Sequence, residues 1–163
     1  MPERPIRIFG DPVLKTVSDP VVEIDDRVRS VVQDLVDSVA LPGRAGVAAS
    51  QIGVNLRAFS YNVDGVIGYL INPEIVELTG EPELVDEGCL SVPDLWYPVL
   101  RYPHARARGI DLDGNEVEIE GSGLMAQALQ HEVDHLDGKL YLDRLDKDSR
   151  RAAMKQIRTS TWF

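Results

Sequence analysis

The sequence predicts a single α+β domain over residues 1–163, with short, largely antiparallel or mixed β-sheets packed around a central metal-binding helix. Three observations lead to this class. The 163 residues are 44% hydrophobic, enough for one buried core and too few to suggest two domains. Several short segments alternate apolar and polar residues between turn signals, as antiparallel strands do. Residues 131–135 read His-Glu-Val-Asp-His, a spacing typical of metal ligands on a helix.

The first half of the chain is predicted to contain an N-terminal helix and two strands. Residues 5–9 form a short strand or an extended arm. From residue 25 to residue 40, apolar residues recur at helical spacing, which indicates an amphipathic helix. Residues 56–63 and 68–76 are predicted strands, and the segment 62–65, Asn-Val-Asp-Gly, is typical of a hairpin connection.

Two segments of unusual composition lie beside these elements. Residues 46–53 combine small residues, which allow close backbone approach, with one strongly polar side chain, Gln51. Taken alone, this run is most simply a tight packing turn. Residues 87–93 place a glycine and a proline around the only cysteine, Cys89, which predicts irregular or bulged backbone that presents its side chain outward.

The second half is predicted to contain a hairpin and two helices. Residues 105–112 and 115–120 alternate apolar with polar residues around Asp113-Gly114, a strong hairpin signal. Ser122 is the predicted N-cap of the helix that carries the His-Glu-Val-Asp-His motif, and Gly138 is suited to end that helix. Residues 146–157 form a C-terminal helix with a polar, basic exterior.

The motif predicts a metal site with a general base. His131 and His135 are four residues apart, so both imidazoles lie on one helix face and can bind one ion. Glu132 lies beside that face, where its carboxylate can reach a metal-bound water. The alternative is a solvated helix with two unrelated histidines, which we disfavour because the chain has only 3 histidines.

The third ligand is expected upstream of the helix. Residues 136–163 contain no His, Cys or Glu, and aspartates are the only candidates there. Upstream, the candidates are His104, a carboxylate and Cys89. Because a thiolate is the strongest of these ligands for a borderline or soft cation, we predict Cys89. Leu124, Gln127 and Ala128 share the helix face of the histidines, which predicts a pocket for a hydrophobic group.

Charge and composition limit the partners. The formal net charge of -10 argues against broad phosphate binding, so no specific nucleic-acid partner is expected. No apolar run approaches the length of a membrane span and no signal segment follows Met1, so we expect no membrane and a cytoplasmic location. Residues 147–158 are predominantly basic, either as a solvated helix end or as a docking surface for an anionic partner.

Three segments, residues 46–51, 87–91 and 130–135, closely resemble in sequence, order and spacing the three signature motifs of peptide deformylases. Residues 10–14 also resemble that family's N-terminus. The resemblance implies a metallo-amidohydrolase that removes the formyl group from N-formyl-methionyl nascent peptides and releases formate. The chain departs from the family pattern at Arg44-Ala45-Gly46, where the family usually has Gly-x-Gly. This departure lies at the expected rim of the substrate site.

The resemblance also implies roles for individual residues. Cys89, His131 and His135 would hold one divalent ion, natively Fe²⁺, with Zn²⁺, Ni²⁺ or Co²⁺ able to replace it in a purified sample. Glu132 would take the proton of a metal-bound water and later deliver it to the leaving amine. The side chain of Gln51 and the backbone N–H of Leu90 would donate to the oxygen that becomes an anion. Substrate contacts are expected from a set that lies in or near the motifs: Gly46, Val47, Trp96, Leu124, Gln127 and Ala128.

Three further expectations complete the interpretation. Glu87, two residues before the predicted ligand, could pair with Arg101 and stiffen the loop that carries Cys89. The basic C-terminal helix would contact the ribosome transiently, as in some members of the family. Two alternative functions remain: a zinc peptidase with an aspartate as third ligand, and a structural metal site that only joins the sheet to the helix.

Overall fold

The protein is described here by a computed structural model, which covers residues 4–163. Within this range the chain forms three α-helices and seven β-strands, as the predicted α+β class requires. The helices are α1 (Asp26–Val39), α2 (Leu124–Leu136) and α3 (Lys147–Arg158). The strands are β1 (Gly46–Ala48), β2 (Ala58–Val63), β3 (Val66–Thr79), β4 (Glu83–Cys89), β5 (Val92–Arg101), β6 (His104–Ile110) and β7 (Glu116–Ser122).

The strands form two sheets that are antiparallel throughout. Five strands pair in the order β1-β2-β3-β6-β7, and β4 pairs with β5 as a separate hairpin. The pairs β2–β3, β4–β5 and β6–β7 are hairpins with short connections, whereas the β4–β5 hairpin lies between β3 and β6 along the chain. The turn between β2 and β3 has positive φ at Asp64 (53°) and Gly65 (80°), the conformation that a two-residue hairpin connection needs.

Helix α1 follows the prediction closely. The Asp25 carboxylate accepts the N–H of Val28 at 3.0 Å and caps the helix, one residue before its first turn. Its valines and Leu35 are buried against β1 and β2. The apolar stripe of the sequence therefore forms one layer of the core.

Helix α2 lies in the middle of the fold, between two apolar clusters. Leu129 and Leu136 are fully buried against the five-stranded sheet. Beyond the helix, the β4–β5 hairpin packs on residues 140–145 and on α3, with Val99 and Tyr141 buried between them. A helix covered on both sides holds its side chains in fixed directions, which a metal site needs.

One local expectation is corrected and another is confirmed. Ser122 is not the N-cap of α2, because it is the last residue of β7 and its hydroxyl hydrogen-bonds the Nδ1 of His104 at 3.1 Å. Gly123, with φ of 58°, makes the turn into the helix instead. The bulged backbone predicted for residues 87–93 is confirmed, since the β4–β5 hairpin has a bulge between Glu87 and Cys89.

The N-terminal segment is an extended arm and makes no strand from residue 4 to residue 9. The N–H of Arg7 donates to the carbonyl of Gln51 at 2.7 Å, and that of Phe9 donates to the carbonyl of Ser91 at 2.8 Å. The arm thus ties together the two segments that carry Gln51 and Cys89. In the part of the chain that the structure describes, no helix combines the length and the apolar character that crossing a bilayer demands.

Candidate active site

Three potential ligands converge beside α2. The Nε2 atoms of His131 and His135 are 3.1 Å apart, because four residues of helix place the rings on one face. The Sγ of Cys89, at the end of β4, lies 3.3 Å from Nε2 of His135. All three ligand atoms lie within 4.8 Å of one another.

The chemistry of this donor set fits a resident divalent ion. A neutral imidazole presents one lone pair and a thiolate presents several, so three such atoms that converge within 4.8 Å can share one cation. One thiolate with two imidazoles suits zinc, iron(II), nickel or cobalt, at about 2.0–2.3 Å from each ligand atom. Three protein ligands leave a coordination position for a small molecule, as a catalytic site requires.

Glu87 fixes the orientation of His131. Its Oε2 lies 2.6 Å from the Nδ1 of His131. Burial would raise the pKa of the Glu87 carboxyl, but hydrogen bonds from Arg101 and His131 outweigh burial and lower this pKa to about 2. Because Glu87 is then an acceptor only, His131 donates from Nδ1 and keeps the lone pair of Nε2 for a ligand.

Arg101 connects Glu87 to the rest of α2. Its guanidinium binds Glu87 through two hydrogen bonds, at 2.9 and 2.5 Å, and Asp134 through a third, at 2.9 Å. Arg144 adds two bonds to Asp134, at 2.5 and 2.7 Å. The predicted pair of Glu87 and Arg101 is therefore part of a longer chain of charges, buried from Glu87 to Asp134 and exposed at Arg144, that joins β4, β5, α2 and the segment before α3.

Tyr141 supports the same imidazole from the other side. Its ring stacks on that of His131, with centroids 6.5 Å apart and planes inclined by 22°. Its hydroxyl donates to the carbonyl of Leu95 at 3.3 Å. The ring of His131 is thus held both by a hydrogen bond and by an aromatic contact.

Glu132 is buried next to the ligands and lacks a full set of partners. Its Oε1 has no hydrogen-bond partner among residues 4–163, and its Oε2 is 4.0 Å from Nε2 of His131. Burial raises the pKa of the Glu132 carboxyl to about 7. A carboxyl group with a pKa near neutrality can both accept and return a proton.

Gly46 allows this carboxylate to approach β1. A Cβ atom built on Gly46 would lie 2.5 Å from Oε2 of Glu132, closer than any side chain permits. The glycine of the first motif is therefore required by the position of Glu132. This contact brings the edge of the sheet next to the candidate base.

β1 is an edge strand whose outer side is open. The N–H of Asn62 donates to the carbonyl of Ala45 at 2.8 Å, so the antiparallel alternation turns the N–H and C=O of Gly46 away from β2. These two groups face the site and can pair with an extended peptide.

Gln51 and Leu90 supply potential donors. The Gln51 side chain is buried, and its Nε2 donates to Ser91 Oγ at 3.1 Å and lies 3.7 Å from Cys89 Sγ. Its Oε1 accepts the N–H of Ala48 at 3.0 Å, which fixes the orientation of the amide. The N–H of Leu90, in the β4–β5 turn, has no acceptor within residues 4–163. Both donors lie on the wall of the cavity described next.

A cavity of about 440 Å³ opens onto the ligands. Gly46, Leu124 and Ala128 line it as predicted, and Trp96, which is 69% exposed, forms part of the rim against Gly88. Val47 is not among the residues that line the cavity, and its side chain is fully buried in the core beside α1. Val47 lies one residue beyond Gly46, so its side chain points to the opposite face of β1.

Gln127 lines the cavity, but its amide is already engaged. Its Nε2 donates to the carbonyl of Asp86 and to Oε1 of Glu87, each at 3.2 Å. It therefore joins α2 to the hairpin. His104, the other candidate for third ligand, lies on β6 and contacts Ser122 and Glu120. The supporting roles of Asp134, Arg144 and Tyr141 were not predicted. Their local sequence pattern does not indicate partners that are distant along the chain.

Comparison with known proteins gives consistent similarities. The family model described as polypeptide deformylase matches residues 3–151. A peptide deformylase of Acidothermus cellulolyticus is 49% identical over 162 residues, which cover 99% of this chain and 89% of that protein. The crystal structure of a peptide deformylase from Legionella pneumophila superposes with a TM-score of 0.88 at 34% identity, covering 96% of this chain and 94% of that one. The structure of peptide deformylase from Ehrlichia chaffeensis in complex with actinonin gives a TM-score of 0.89 at 31% identity and covers 100% of both chains.

Proposed function

The chain belongs to the peptide deformylase family of metal-dependent hydrolases and removes the N-formyl group from nascent peptides; on this premise we propose which of its residues perform the reaction. The observation that supports the proposal is the convergence of Cys89, His131 and His135 beside the buried carboxylate of Glu132, at a cavity open to solvent.

In this proposal Cys89, His131 and His135 hold one divalent ion. When bound, the ion supplies Lewis acidity that makes water a nucleophile near neutral pH and polarises the formyl oxygen. Glu87 fixes the tautomer of His131 through Nδ1, and Tyr141 fixes the plane of its ring. The resident ion is proposed to be Fe²⁺, with Zn²⁺, Ni²⁺ and Co²⁺ as substitutes for the same donor set.

Glu132 is proposed as the group that moves the proton. It takes a proton from the attacking water and delivers it to the amine as the C–N bond of the formamide breaks, so formate and a free N-terminus leave. Gln51 Nε2 and the N–H of Leu90 donate to the formyl oxygen as it gains negative charge. Ser91 holds the amide of Gln51, and the β4–β5 hairpin holds the backbone of Leu90. Both donors therefore need little rearrangement during the reaction.

The substrate is proposed to bind as an added strand. The N–H and C=O of Gly46 pair with the formyl-methionine residue, whose apolar side chain enters the cavity between Leu124, Ala128 and Trp96. A cavity of about 440 Å³ accommodates one such side chain with its formyl group. Residues 1–163 are proposed to form a single metallohydrolase domain that acts in the cytoplasm, where formylated chains are synthesised.

A formate-release assay tests this function. Formyl-Met-Ala-Ser is incubated with protein loaded with iron, nickel or zinc, and acetyl-Met-Ala-Ser is the control substrate. Formate is expected only from the formylated peptide. Replacing Glu132→Gln should lower kcat by about 10²–10⁴-fold while the metal content stays at one ion per chain. The matched control is Glu118→Gln, a surface carboxylate on β7.

Two results would contradict the assignment. Turnover of Glu132→Gln within tenfold of the parent protein would exclude Glu132 as the proton carrier. Hydrolysis of internal amide bonds with no formate would favour the peptidase, and full metal binding without any hydrolysis would favour a structural site.

The basic surface of α3 is proposed to contact the ribosome. Arg151, Lys155 and Arg158 are exposed and make no ion pair within residues 4–163. Replacing all three by Glu should reduce co-sedimentation with ribosomes at low salt. The control replaces Arg27 and Arg29 on α1 by Glu. Equal co-sedimentation of the two variants with ribosomes would contradict the proposal.

A further inference from the structure

Arg44 is a cation placed at the mouth of the cavity. It lines the cavity two residues before Gly46, and among the lining residues of the described chain it is the one arginine or lysine. Its Nη1 donates to the carbonyl of Ser38 at 2.9 Å, which anchors the side chain at the end of α1. Within residues 4–163 no carboxylate lies within 4.0 Å of its guanidinium. The charge is therefore held in place and available to a ligand.

The position of Glu132 sets the register of the bound peptide. The formyl group must lie beside Glu132, and Glu132 contacts Gly46, so the methionine lies opposite Gly46. With the formyl end near Gln51, the peptide runs antiparallel to β1. Each step along the peptide then moves one residue back along the chain, past the first residue of β1. The third residue therefore lies near Arg44, which precedes the strand and lines the cavity.

The other charges of the cavity do not compete for this place. Glu87 is bonded by Arg101, and Glu132 lies at the bottom of the site. Asp94 is exposed on the β5 side of the rim, whereas Arg44 belongs to the β1 side. At a net charge of -10 the whole protein repels an acidic peptide, but salt screens that field beyond about 10 Å at 0.1 M. A contact with Arg44 lies within this distance.

We propose that Arg44 is a specificity-determining residue that favours formyl peptides with an acidic side chain at the third position. The inference rests on the deformylase function and strand-addition binding proposed above. An anchored guanidinium loses little side-chain entropy when it pairs with a carboxylate. For a partly exposed pair, the expected gain in kcat/KM is about twofold to fivefold over a neutral third residue.

The test compares formyl-Met-Ala-Xaa-Ser peptides with Glu, Gln or Lys as the third residue. For the parent protein kcat/KM should decrease in the order Glu, Gln, Lys, and 0.5 M salt should reduce the differences. Arg44→Gln should remove the preference for Glu over Gln, and Arg44→Glu should reverse the order of Glu and Lys. Arg29→Gln, which makes the same change in net charge on α1, should keep the preference. Moving Glu to the second position should abolish it.

Distinct outcomes separate this inference from the function itself. Formate release with the same ratio of Glu to Gln in the parent and in Arg44→Gln would overturn the role of Arg44 and leave the deformylase function intact. A preference that Asp94→Asn changes and Arg44→Gln does not would likewise overturn it. If no formyl peptide released formate with any metal, the underlying function would fail, and the inference with it.

Discussion

Replacing Arg101→Met tests whether the buried charge chain holds the site. The Arg101 side chain is 3% exposed and makes three hydrogen bonds to Glu87 and Asp134. Removing it leaves Glu87 buried with a net charge and fewer partners, although His131 and Arg144 still contact the two carboxylates. Removing one partner from a buried pair costs about 3–5 kcal/mol. For a chain of this size, that lowers the melting temperature by about 6–20 °C.

The assay is urea unfolding, followed by far-ultraviolet circular dichroism, on protein with and without metal. The matched control is Arg108→Met, because Arg108 pairs with Glu74 on the surface, with side chains 42% and 61% exposed. An exposed pair contributes about 0–1 kcal/mol, so the control should unfold near the parent midpoint. The double variant Arg101→Met with Glu87→Gln should regain part of the loss, because it removes the unpaired charge.

Arg101→Met and Arg108→Met are expected to differ, so equal losses of unfolding free energy would contradict the prediction. A second contradiction would be a double variant, Arg101→Met with Glu87→Gln, whose loss of unfolding free energy equals the sum of the losses of the two single variants. Either result would mean that Glu87 is not held as a buried anion by Arg101.

Three other substitutions follow from the same geometry. Cys89→Ala should abolish metal retention after dialysis, whereas His104→Ala on β6 should retain the metal; equal metal contents by mass spectrometry would contradict the ligand set. Gly46→Ala should lower kcat/KM by about 100-fold, since its Cβ would displace Glu132, whereas Ala45→Gly should have little effect; an unchanged rate would disprove the contact. Burial would raise the pKa of Asp143, but bonds from the Leu140 N–H and Arg150 lower it from 3.8. The charged carboxylate therefore stabilises the fold above pH 3.8, and this stabilisation is lost as the pH falls through the lower folded pKa. In Asp143→Asn the free energy of unfolding, measured by urea titration, should depend less on pH in this acidic range.

The sequence predicted those parts of the fold and site that depend on local spacing. The histidines of α2 were found because four residues of helix bring them together, and Cys89 because the chain has one thiol. α1 was found with its Asp25 cap, and the hairpins of β2–β3 and β6–β7 from their turns. Glu87 and Arg101 were predicted as a pair from proximity to the ligand, and they are bonded.

Features that depend on how elements pack were not predictable in the same way. Asp134 and Arg144 join the charge chain only because the β4–β5 hairpin packs against α2. Ser122 has the residue type of a helix cap, but the register with His104 keeps it in β7. Val47 belongs to a motif, yet the alternation of β1 turns its side chain into the core.

The proposed catalytic centre requires one metal ion at a defined position between Cys89, His131 and His135. Crystals of zinc-loaded protein, measured above and below the zinc absorption edge, should show one anomalous peak per chain, about 2.3 Å from Sγ of Cys89 and about 2.0–2.1 Å from Nε2 of His131 and His135. Glu132 should lie beside this peak without binding it. A peak elsewhere, or a zinc ion whose every coordination position is filled by protein atoms, would contradict the proposed catalytic centre.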